Sequence, residues 1–369
     1  MRKTSAGGRS RSFWLLPAEL LLTTVLSTGL YLLVRQEFVW VLGGLAAGWI
    51  VSAFFRKAAL AHAPNAATRK TGQVLVGVSL GPVLAAQSMG EELAYLALLL
   101  GAVLIAFIGA VVVARAYARW GGVDLLTAGL ATLPGGIGIM ASVAADRGRS
   151  PTLVALVQGA RVAVVVSIVP VILLIGGAPT VEPGDVPSLL PTDGAGYGSW
   201  ILLLGGAFVA SAIATRLHVP VASLLGPMVF GLVAALAYRA LVSGADPLEV
   251  PYLHSIVGQA LLGITVGEYL AQDARVKRRA ALGGLAGVGG TMVLSLLVAV
   301  ALALLTPWSF LTCVLMTAPG GAPEMIVLAA ASPSDLHLVV IAQMSRQIAV
   351  NILMPLWLRI FRAPPPALA

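Results

Sequence analysis

The chain has 369 residues, of which 59% are hydrophobic and only 10% are charged, and its mean hydropathy is +0.96. This composition excludes a soluble globular protein and indicates an integral membrane protein. The net charge of +8 would suggest nucleic acid binding in a soluble protein, but here the Lys and Arg residues lie in short loops between apolar segments. We therefore interpret them as signals of membrane topology and expect no nucleic acid partner.

Apolar segments, six in each half of the chain, follow one another at lengths suited to crossing a bilayer. The first resembles a signal peptide, but no small-residue cleavage site follows it, so we expect a retained helix. Between the halves lies a stretch rich in Pro, Gly and Asp, which predicts an extracytoplasmic linker over 178–198, a first membrane repeat over 1–177 and a second over 199–369. The segments lie near 13–34, 37–55, 71–86, 93–115, 123–145, 151–177, 199–215, 219–241, 254–270, 281–305, 308–331 and 336–358.

The two halves share sequence. Residues 134–173 align without gaps to 319–358 with 13 identities in 40 positions, and 72–85 aligns to 258–271 with 7 identities in 14. The chain is therefore a duplication of a unit of about 180 residues. The shared residues include the polar and turn-forming pairs Pro134/Pro319, Gly135/Gly320, Gly136/Gly321, Gln158/Gln343 and Arg161/Arg346.

The distribution of basic residues selects a topology. If all twelve segments crossed, with the N-terminus inside, the Lys and Arg outside the spans would divide 13 inside to 8 outside; if the two Pro-Gly-Gly segments are re-entrant hairpins, they divide 19 to 2. The bias of positive charge toward the cytoplasm favours the second arrangement. Because five crossings per half invert the second half, the predicted fold is an all-α integral membrane protein with two inverted repeats of five transmembrane helices plus one re-entrant hairpin each. Both termini are then cytoplasmic.

The Pro-Gly-Gly tripeptides suit the tip of such a hairpin, because proline lacks an N–H donor and glycine adopts positive φ. Irregular backbone at membrane depth is tolerated only where protein buries it or where it lines a water-filled cavity. One interpretation is a solute site at the two tips; the other is a tight turn between packed half-helices. The recurrence favours a site formed by Pro134, Gly135, Gly136, Pro319, Gly320 and Gly321.

Arg161 and Arg346 each lie about ten residues into an apolar helix, where a charge costs roughly 2.5–3.5 kcal/mol on insertion scales. Each guanidinium is a candidate ligand for a carboxylate or phosphate of the solute. Alternatively, each arginine fastens its helix to hairpin carbonyls or to an internal acid. Gln158 and Gln343 precede the arginines by three residues and share their helix faces. They are candidate co-ligands, or ordinary interhelical hydrogen bonds.

Glu324 follows the second tripeptide, and Ile139 stands at the matching position of the first half. This break in the symmetry makes Glu324 the candidate site for a coupling ion, H+ or Na+. The alternative is an internal salt bridge with Arg346. Two other acids, Asp124 and Asp335, are expected to cap helices.

Further polar and small residues carry weaker predictions. Glu268 is expected to be solvated near the cytosolic end of its segment. The GxxxG pairs Gly77/Gly81 and Gly263/Gly267 predict close helix packing, or else interrupted helices at the substrate. No cofactor, metal site or enzymatic activity is expected, because the chain has no nucleotide-binding motif and its single cysteine and four histidines do not pair at ligand spacings. These residues are Cys313, His62, His218, His254 and His337.

The duplicated Pro-Gly-Gly elements, above all TAPGGAPEM followed by Gln343 and Arg346, resemble the AbrB-type bacterial membrane proteins. The resemblance covers almost the whole chain and implies a membrane protein with duplicated halves, located in a bacterial cytoplasmic (inner) membrane. Members of that family have been labelled as regulators and as ammonia monooxygenases, and they are distinct from the soluble DNA-binding regulator of the same name. The sequence supports neither label, because it has no oxidation metal ligands and no DNA-binding domain. GGIGIM in the first half departs from GGAPEM in the second, so a role of Glu324 does not transfer to Ile139.

The predicted function is secondary transport, with export as one option, of a small anionic or zwitterionic solute by alternating access at the interface of the repeats. Its partners would be the lipid bilayer, the solute and a coupling ion, with a homo-oligomer left open. A channel and a membrane sensor that influences gene expression through a partner are the alternatives. An enzyme is disfavoured by the sparse, unpaired acids and histidines.

Overall fold

The computed structural model describes residues 14–36, 38–57, 64–86, 96–175, 188–191, 194–241, 248, 250–272 and 276–361. Within these ranges all regular structure is helical, which confirms the predicted all-α class. The first half contributes α1 (Leu15–Val34), α2 (Val39–Lys57), α3 (Ala66–Ala85), α4 (Leu96–Gly121), α5 (Leu125–Thr132), α6 (Ile137–Asp146) and α7 (Pro151–Ile175). The second contributes α8 (Gly194–Arg216), α9 (Ala222–Leu241), α10 (Tyr252–Leu270), α11 (Arg278–Leu305), α12 (Phe310–Thr317), α13 (Ala322–Ala330), α14 (Leu336–Ile352) and α15 (Met354–Ile360).

Several helices fit a bilayer. Among the described residues, seven helices (α1, α2, α4, α7, α8, α9 and α11) are long and apolar enough to cross, and an eighth span results if α14 and α15, bent by 63°, count as one. The chain is therefore a multi-pass membrane protein. The helices α3 and α10 have 20 and 19 residues, but both bury polar side chains that lower their hydropathy.

The chain forms two compact units, and each unit combines helices from both halves. We call the first the six-helix unit; it comprises Met1–Ser88, Leu174–Gln272 and Ala330–Ser332. The second, the hairpin unit, comprises Met89–Leu173, Asp273–Ala329 and Pro333–Ala369. The repeat boundaries at 177 and 199 remain predictions. Most of the predicted linker 178–198 lies outside the described residues, although its last five residues belong to α8.

The six-helix unit packs α2 against α10 and α3 against α9, with α3 also against α10. The α2–α10 and α3–α9 contacts are counterparts of each other, because α9 is the equivalent of α2 and α10 the equivalent of α3 in the second half. Glycines permit the close approach, since a Cβ on Gly267 would lie 2.3 Å from the carbonyl oxygen of Leu45, and one on Gly81 would lie 2.3 Å from the nitrogen of Leu232. The close-packing prediction for the GxxxG pairs is confirmed. The alternative of interrupted helices is wrong, because α3 and α10 are continuous.

The hairpin unit packs α4 against α11 and contains the two short helix pairs, α5–α6 and α12–α13. Its apolar core is anchored by aromatic side chains. Phe107 and Trp357 meet edge to face with ring centroids 5.2 Å apart, and the buried Tyr117 hydroxyl donates to the carbonyl of Ala280 at 3.0 Å. This core supports the ends of the short helix pairs.

Candidate functional site

The first short pair, α5–α6, is a hairpin whose two ends meet. Asp124 caps α5 by accepting a hydrogen bond from the Thr127 N–H at 3.0 Å, which confirms its predicted role. The Asp124 carboxylate also lies 3.4 Å from Nε of Arg149, which follows α6. A helix of the length of α5 rises about 12 Å, so the chain enters, turns at residues 133–136 and returns.

The second pair, α12–α13, closes in the same way with different residues. Ser309, at the position equivalent to Asp124, caps α12 by accepting from the Thr312 N–H at 3.1 Å. The Thr312 hydroxyl donates to the Asp335 carboxylate at 3.1 Å. Asp335 stands at the N-cap position of α14 but makes no side-chain cap bond there. The capping prediction for Asp335 is therefore wrong: its carboxylate instead joins the two ends of the second hairpin.

The two glutamines bind the carbonyls that each hairpin tip leaves without helical partners. The Gln158 side-chain amide donates to the carbonyls of Leu130 and Leu133, at 2.7 and 2.8 Å. Its counterpart on Gln343 donates to Leu315 and Ala318, at 2.6 and 3.4 Å. These acceptors are equivalent in the two halves, each pair differing by 185 in number. A broken helix in an apolar environment needs such donors, because an unpaired buried carbonyl is costly.

The arginines complete the same pattern. Arg161 donates from Nη1 to the carbonyls of Thr132 and Leu133 at 3.0 and 3.3 Å, and from Nη2 to Gln158 Oε1 at 2.6 Å. The structure thus confirms that the guanidinium fastens α7 to the C-terminal end of α5, where the helix dipole favours a cation. A role of this arginine in binding solute remains a prediction.

Arg346 makes the equivalent contacts in the second half. Its Nη1 donates to the carbonyls of Ala318 and Thr317 at 2.8 and 3.4 Å. Its Nη2 donates to Gln343 and to the Gly320 carbonyl at 3.4 Å. The two hairpins therefore differ in their capping residues but share the same hydrogen-bond arrangement of a glutamine and an arginine.

Both guanidinium groups are buried. Arg161 and Arg346 are 2% and 5% exposed. The Nε atom of each is buried and has no hydrogen-bond partner in the described part of the chain. The hydrogen bonds that the described residues give these guanidinium groups go to backbone carbonyls and to the two glutamine side chains.

Each tip also packs against the long helix of the other half. The Gln347 side chain donates to the Gly135 carbonyl at 3.1 Å. A Cβ on Gly135 would lie 2.9 Å from Val350, and one on Gly320 would lie 3.2 Å from Val165, its equivalent. Gly135 and Gly320 thus lie against the helices that carry Arg346 and Arg161, respectively. Gln347 was missed, because Val162 occupies its position in the first half and the repeat gave no signal.

The two tips differ at the N-terminus of the helix that follows each of them, α6 in the first hairpin and α13 in the second. Glu324 is buried in the first turn of α13, and its carboxylate folds over Gly321, where an added Cβ would lie 1.9 Å from Oε2. In the first half, Gly136 has φ +87° with nothing within 4 Å of its Cβ position, and Ile139 is 43% exposed. The N-terminus of α13 is covered by a carboxylate of the chain itself, whereas that of α6 is open.

Two cavities adjoin the second tip. One of about 30 Å³ touches Arg346 and Thr317, enough for one or two water molecules. The other, of about 220 Å³, runs along Ala318 and Pro319 and is otherwise lined almost wholly by aliphatic side chains, with Ser295 among the exceptions. A solute at this tip would meet an apolar wall beside the buried charge.

Two acids in the six-helix unit were misjudged or overlooked. Glu268 was expected to be solvated, but it is 4% exposed, and its Oε2 accepts from the Asn65 N–H at 3.0 Å. The prediction failed because the close packing of α2 and α10 encloses it. Glu19 is fully buried on α1. The sequence could have identified Glu19 as a candidate, because it is the only acidic residue of the first apolar segment. An ionisable residue inside a span is a functional candidate by default.

Comparison with known sequences gives a family match. Residues 40–362 match the family model described as transition state regulatory protein AbrB. A relative from Bacillus subtilis (strain 168), named uncharacterized protein YhjN, is 29% identical over 357 residues, which cover 88% of this chain and 89% of the relative. The family match covers both hairpins, and each match extends over both halves of the chain.

Proposed function

The chain belongs to the AbrB family, and we propose that this multi-pass membrane protein is a secondary transporter for a small anionic or zwitterionic solute. The observation that carries the proposal is the pair of buried guanidinium groups at the two hairpin tips. Burial of a cation is costly, and the negative group of an anionic solute would reduce that cost. Discontinuous helices in the middle of a membrane protein are typical of transporter sites.

The proposed topology has ten crossings. The seven apolar spans and the bent α14–α15 pair give eight, and α3 and α10 bring the number to ten, five in each half. The two hairpins do not cross in this arrangement, because their ends meet. The repeats are then inverted, and both termini are cytoplasmic.

Cysteine accessibility tests this topology. In a Cys313→Ala background, which removes the buried native thiol, Lys277→Cys should be labelled from the cytoplasmic side only. Ser199→Cys should be labelled from the outside only. Both positions are exposed in the structure. Labelling of Lys277→Cys from outside would reject the inverted arrangement.

The solute would bind at the tips. We place its anionic group near Arg161 and the N-terminus of α6, where Gly136 leaves space and the helix dipole favours negative charge. The tip residues Pro134, Gly135, Pro319 and Gly320, with Gln158 and Gln343, would form the remaining walls. Glu324, whose carboxylate already covers the other tip, is the proposed site of the coupling ion. Movement of the hairpin-bearing part of each repeat would expose the solute to alternate sides.

The first experiment is a ligand screen by thermal shift on the purified protein. The panel contains short-chain carboxylates, 2-oxo acids, amino acids, phosphate, nitrate, Na+ and Li+. A ligand at 100 times its Kd stabilises by about 2.7 kcal/mol. We expect an anion or zwitterion to stabilise the wild type but not Arg161→Gln or Arg346→Gln. Arg149→Gln, an exposed arginine of the same unit, is the matched control and should retain the shift.

Counterflow in proteoliposomes follows with the identified ligand. Transport predicts saturable exchange that Arg161→Gln abolishes and Arg149→Gln preserves. Glu324→Gln should retain exchange but lose dependence on the ion gradient. Binding without any flux would overturn the transport proposal.

The family description supports a second candidate, a membrane sensor that regulates expression through a partner. A sensor would bind the same ligand without moving it, and the same binding and flux assays therefore separate the two. Conductance beyond the turnover of a carrier would instead identify a channel. No enzymatic reaction is assigned in this proposal.

A further inference from the structure

The six-helix unit buries two acids near one end of its helices. Glu19 on α1 accepts a hydrogen bond at Oε1 from the Ser52 hydroxyl of α2 at 3.1 Å. Glu268 on α10 accepts at Oε2 from the Asn65 N–H. The helices that hold the two acids are in contact, since α10 packs against both α1 and α2. Gly267, next to Glu268, lies against the backbone of Gly48 and Trp49, one turn before Ser52.

The environments of the two carboxyl groups differ. Burial disfavours the ionised form of Glu268, but Asn65 is the N-cap of α3, and its N–H bond at the positive end of a helix offsets part of that cost. Glu19 is 0% exposed, and its Oε2 has no hydrogen-bond partner in the described part of the chain. A buried carboxylate with an unsatisfied oxygen beside another carboxylate is unfavourable, whereas a neutral carboxyl group is not.

Charged residues on the neighbouring helices do not remove this conflict. Those on α2 and α3 are Arg56, Lys57, Arg69 and Lys70. Arg56 donates to the Ala271 carbonyl at the end of α10. Among the described residues, no basic nitrogen lies within 4.0 Å of either carboxyl group. The other titratable side chains of the packed helices are Tyr31 on α1 and Tyr252, His254 and Tyr269 on α10.

We propose that Glu19 and Glu268 form a proton-binding site, in which one exchangeable proton resides on Glu19 beside the ionised Glu268. The site exchanges a proton with water: neutral Glu19 releases H+ and becomes a carboxylate, and the reverse step restores it. Ser52 lies five residues before the end of α2, about 8 Å along the helix, so the proton has a short route to the end that carries Arg56 and Lys57. The site lies within the six-helix unit and does not depend on the transport proposal.

Infrared difference spectroscopy tests the proposal on the full-length protein. On a step from neutral to alkaline pH, the wild type should lose a protonated-carboxyl C=O band that shifts in D2O. Glu19→Gln, which resembles the neutral form in shape, should lack this band. Asp146→Asn, which changes an exposed acid of the other unit, should retain it. A band that persists in Glu19→Gln, or its absence from the wild type, would overturn the proposal.

Two further measurements guard against a folding defect in the variant. In Glu268→Gln the neighbouring charge is gone, so the band should disappear at a lower pH than in the wild type. A folded state that binds more protons than the unfolded state loses stability as pH rises, so the melting temperature of the wild type should fall over the range in which the band disappears. That fall should be smaller in Glu19→Gln. Stabilisation by Na+ or Li+ at fixed pH, absent in Glu19→Gln, would show that the pair holds a metal cation and would reject the proton.

Discussion

The six-helix unit and the hairpin unit both pack helices in an apolar environment, but they differ in how the backbone hydrogen bonds are satisfied. In the six-helix unit, continuous helices satisfy their own backbone, and glycines such as Gly267 bring two backbones into contact. In the hairpin unit, the helices break, and Arg161 and Arg346 donate hydrogen bonds to the carbonyls that the breaks leave without helical partners. The difference shows that small residues are enough to pack regular helices closely, whereas a break in a helix requires long side chains that donate hydrogen bonds to its carbonyls.

The largest effect is expected from a side chain placed between the tightly packed backbones. Gly267→Ala puts a Cβ 2.3 Å from the Leu45 carbonyl oxygen and 2.5 Å from the Trp49 nitrogen. Because neither backbone atom can rotate away, we expect a loss on the order of 3 kcal/mol in the free energy of unfolding. The thermal midpoint in detergent measures it.

Gly205→Ala is the matched control for this substitution. It lies in α8 with nothing within 4 Å of its Cβ position, so only helix propensity changes, and a gain of up to about 1 kcal/mol is expected. Equal thermal midpoints for the two variants would show that close backbone contact at Gly267 does not stabilise the six-helix unit.

The next effect concerns the donors of the hairpin unit. Arg161→Gln and Arg346→Gln each leave tip carbonyls without a donor, which costs about 1–3 kcal/mol. Because the acceptors are equivalent, the two losses should be similar in thermal or denaturant unfolding. Arg346→Lys keeps the charge but not the planar fork, and it should fall between the wild type and Arg346→Gln. A variant more stable than the wild type would show that the tips do not need these donors.

A smaller effect separates the two tips from each other. Gly136 has φ +87° and open space around its Cβ position, so Gly136→Ala adds only backbone strain, about 1 kcal/mol. Gly138→Ala, two residues later in α6 and equally open, carries no such strain and should be neutral or slightly stabilising. Comparing their unfolding midpoints isolates the backbone conformation. Equal midpoints would mean that the first tip relaxes without cost.

The smallest effect is expected where the first hairpin closes. The Arg149–Asp124 ion pair is partly exposed, with side chains 40% and 32% accessible, and such pairs contribute about 0.2–1 kcal/mol. Arg149→Ala should therefore lower stability by about 0.5 kcal/mol at low salt, and the difference should shrink as ionic strength rises. A large loss that is insensitive to salt would assign Arg149 a structural role beyond the ion pair.

The sequence predicted the features that hydropathy and the similarity between the two halves indicate. The helical class, the two Pro-Gly-Gly breaks and the Gln-Arg pairs follow from hydropathy and from identities between the halves. Burial of Glu268 did not follow, because it depends on contact between α2 and α10, which are distant in sequence. Asp335 was assigned a cap from local sequence alone, whereas its partner is Thr312, 23 residues earlier.

The composition of the compact units was also beyond the sequence. Each half reads as a complete series of segments, and internal similarity marks where one copy ends and the other begins. It carries no signal of which helices from different copies pack together. That choice depends on side-chain and glycine contacts between segments separated by 150 residues or more, such as Arg239 with Ala85.

The bond between Gln347 and the Gly135 carbonyl has a consequence for biosynthesis. The two residues are 212 positions apart, and ribosomes add about 5–20 residues per second, so the first tip waits roughly 10–40 s for this donor. Neither unit can be completed from the first half alone. The newly inserted first half therefore dwells in the membrane as an incomplete intermediate, and its survival depends on the insertion machinery or on lipid until the last helices emerge.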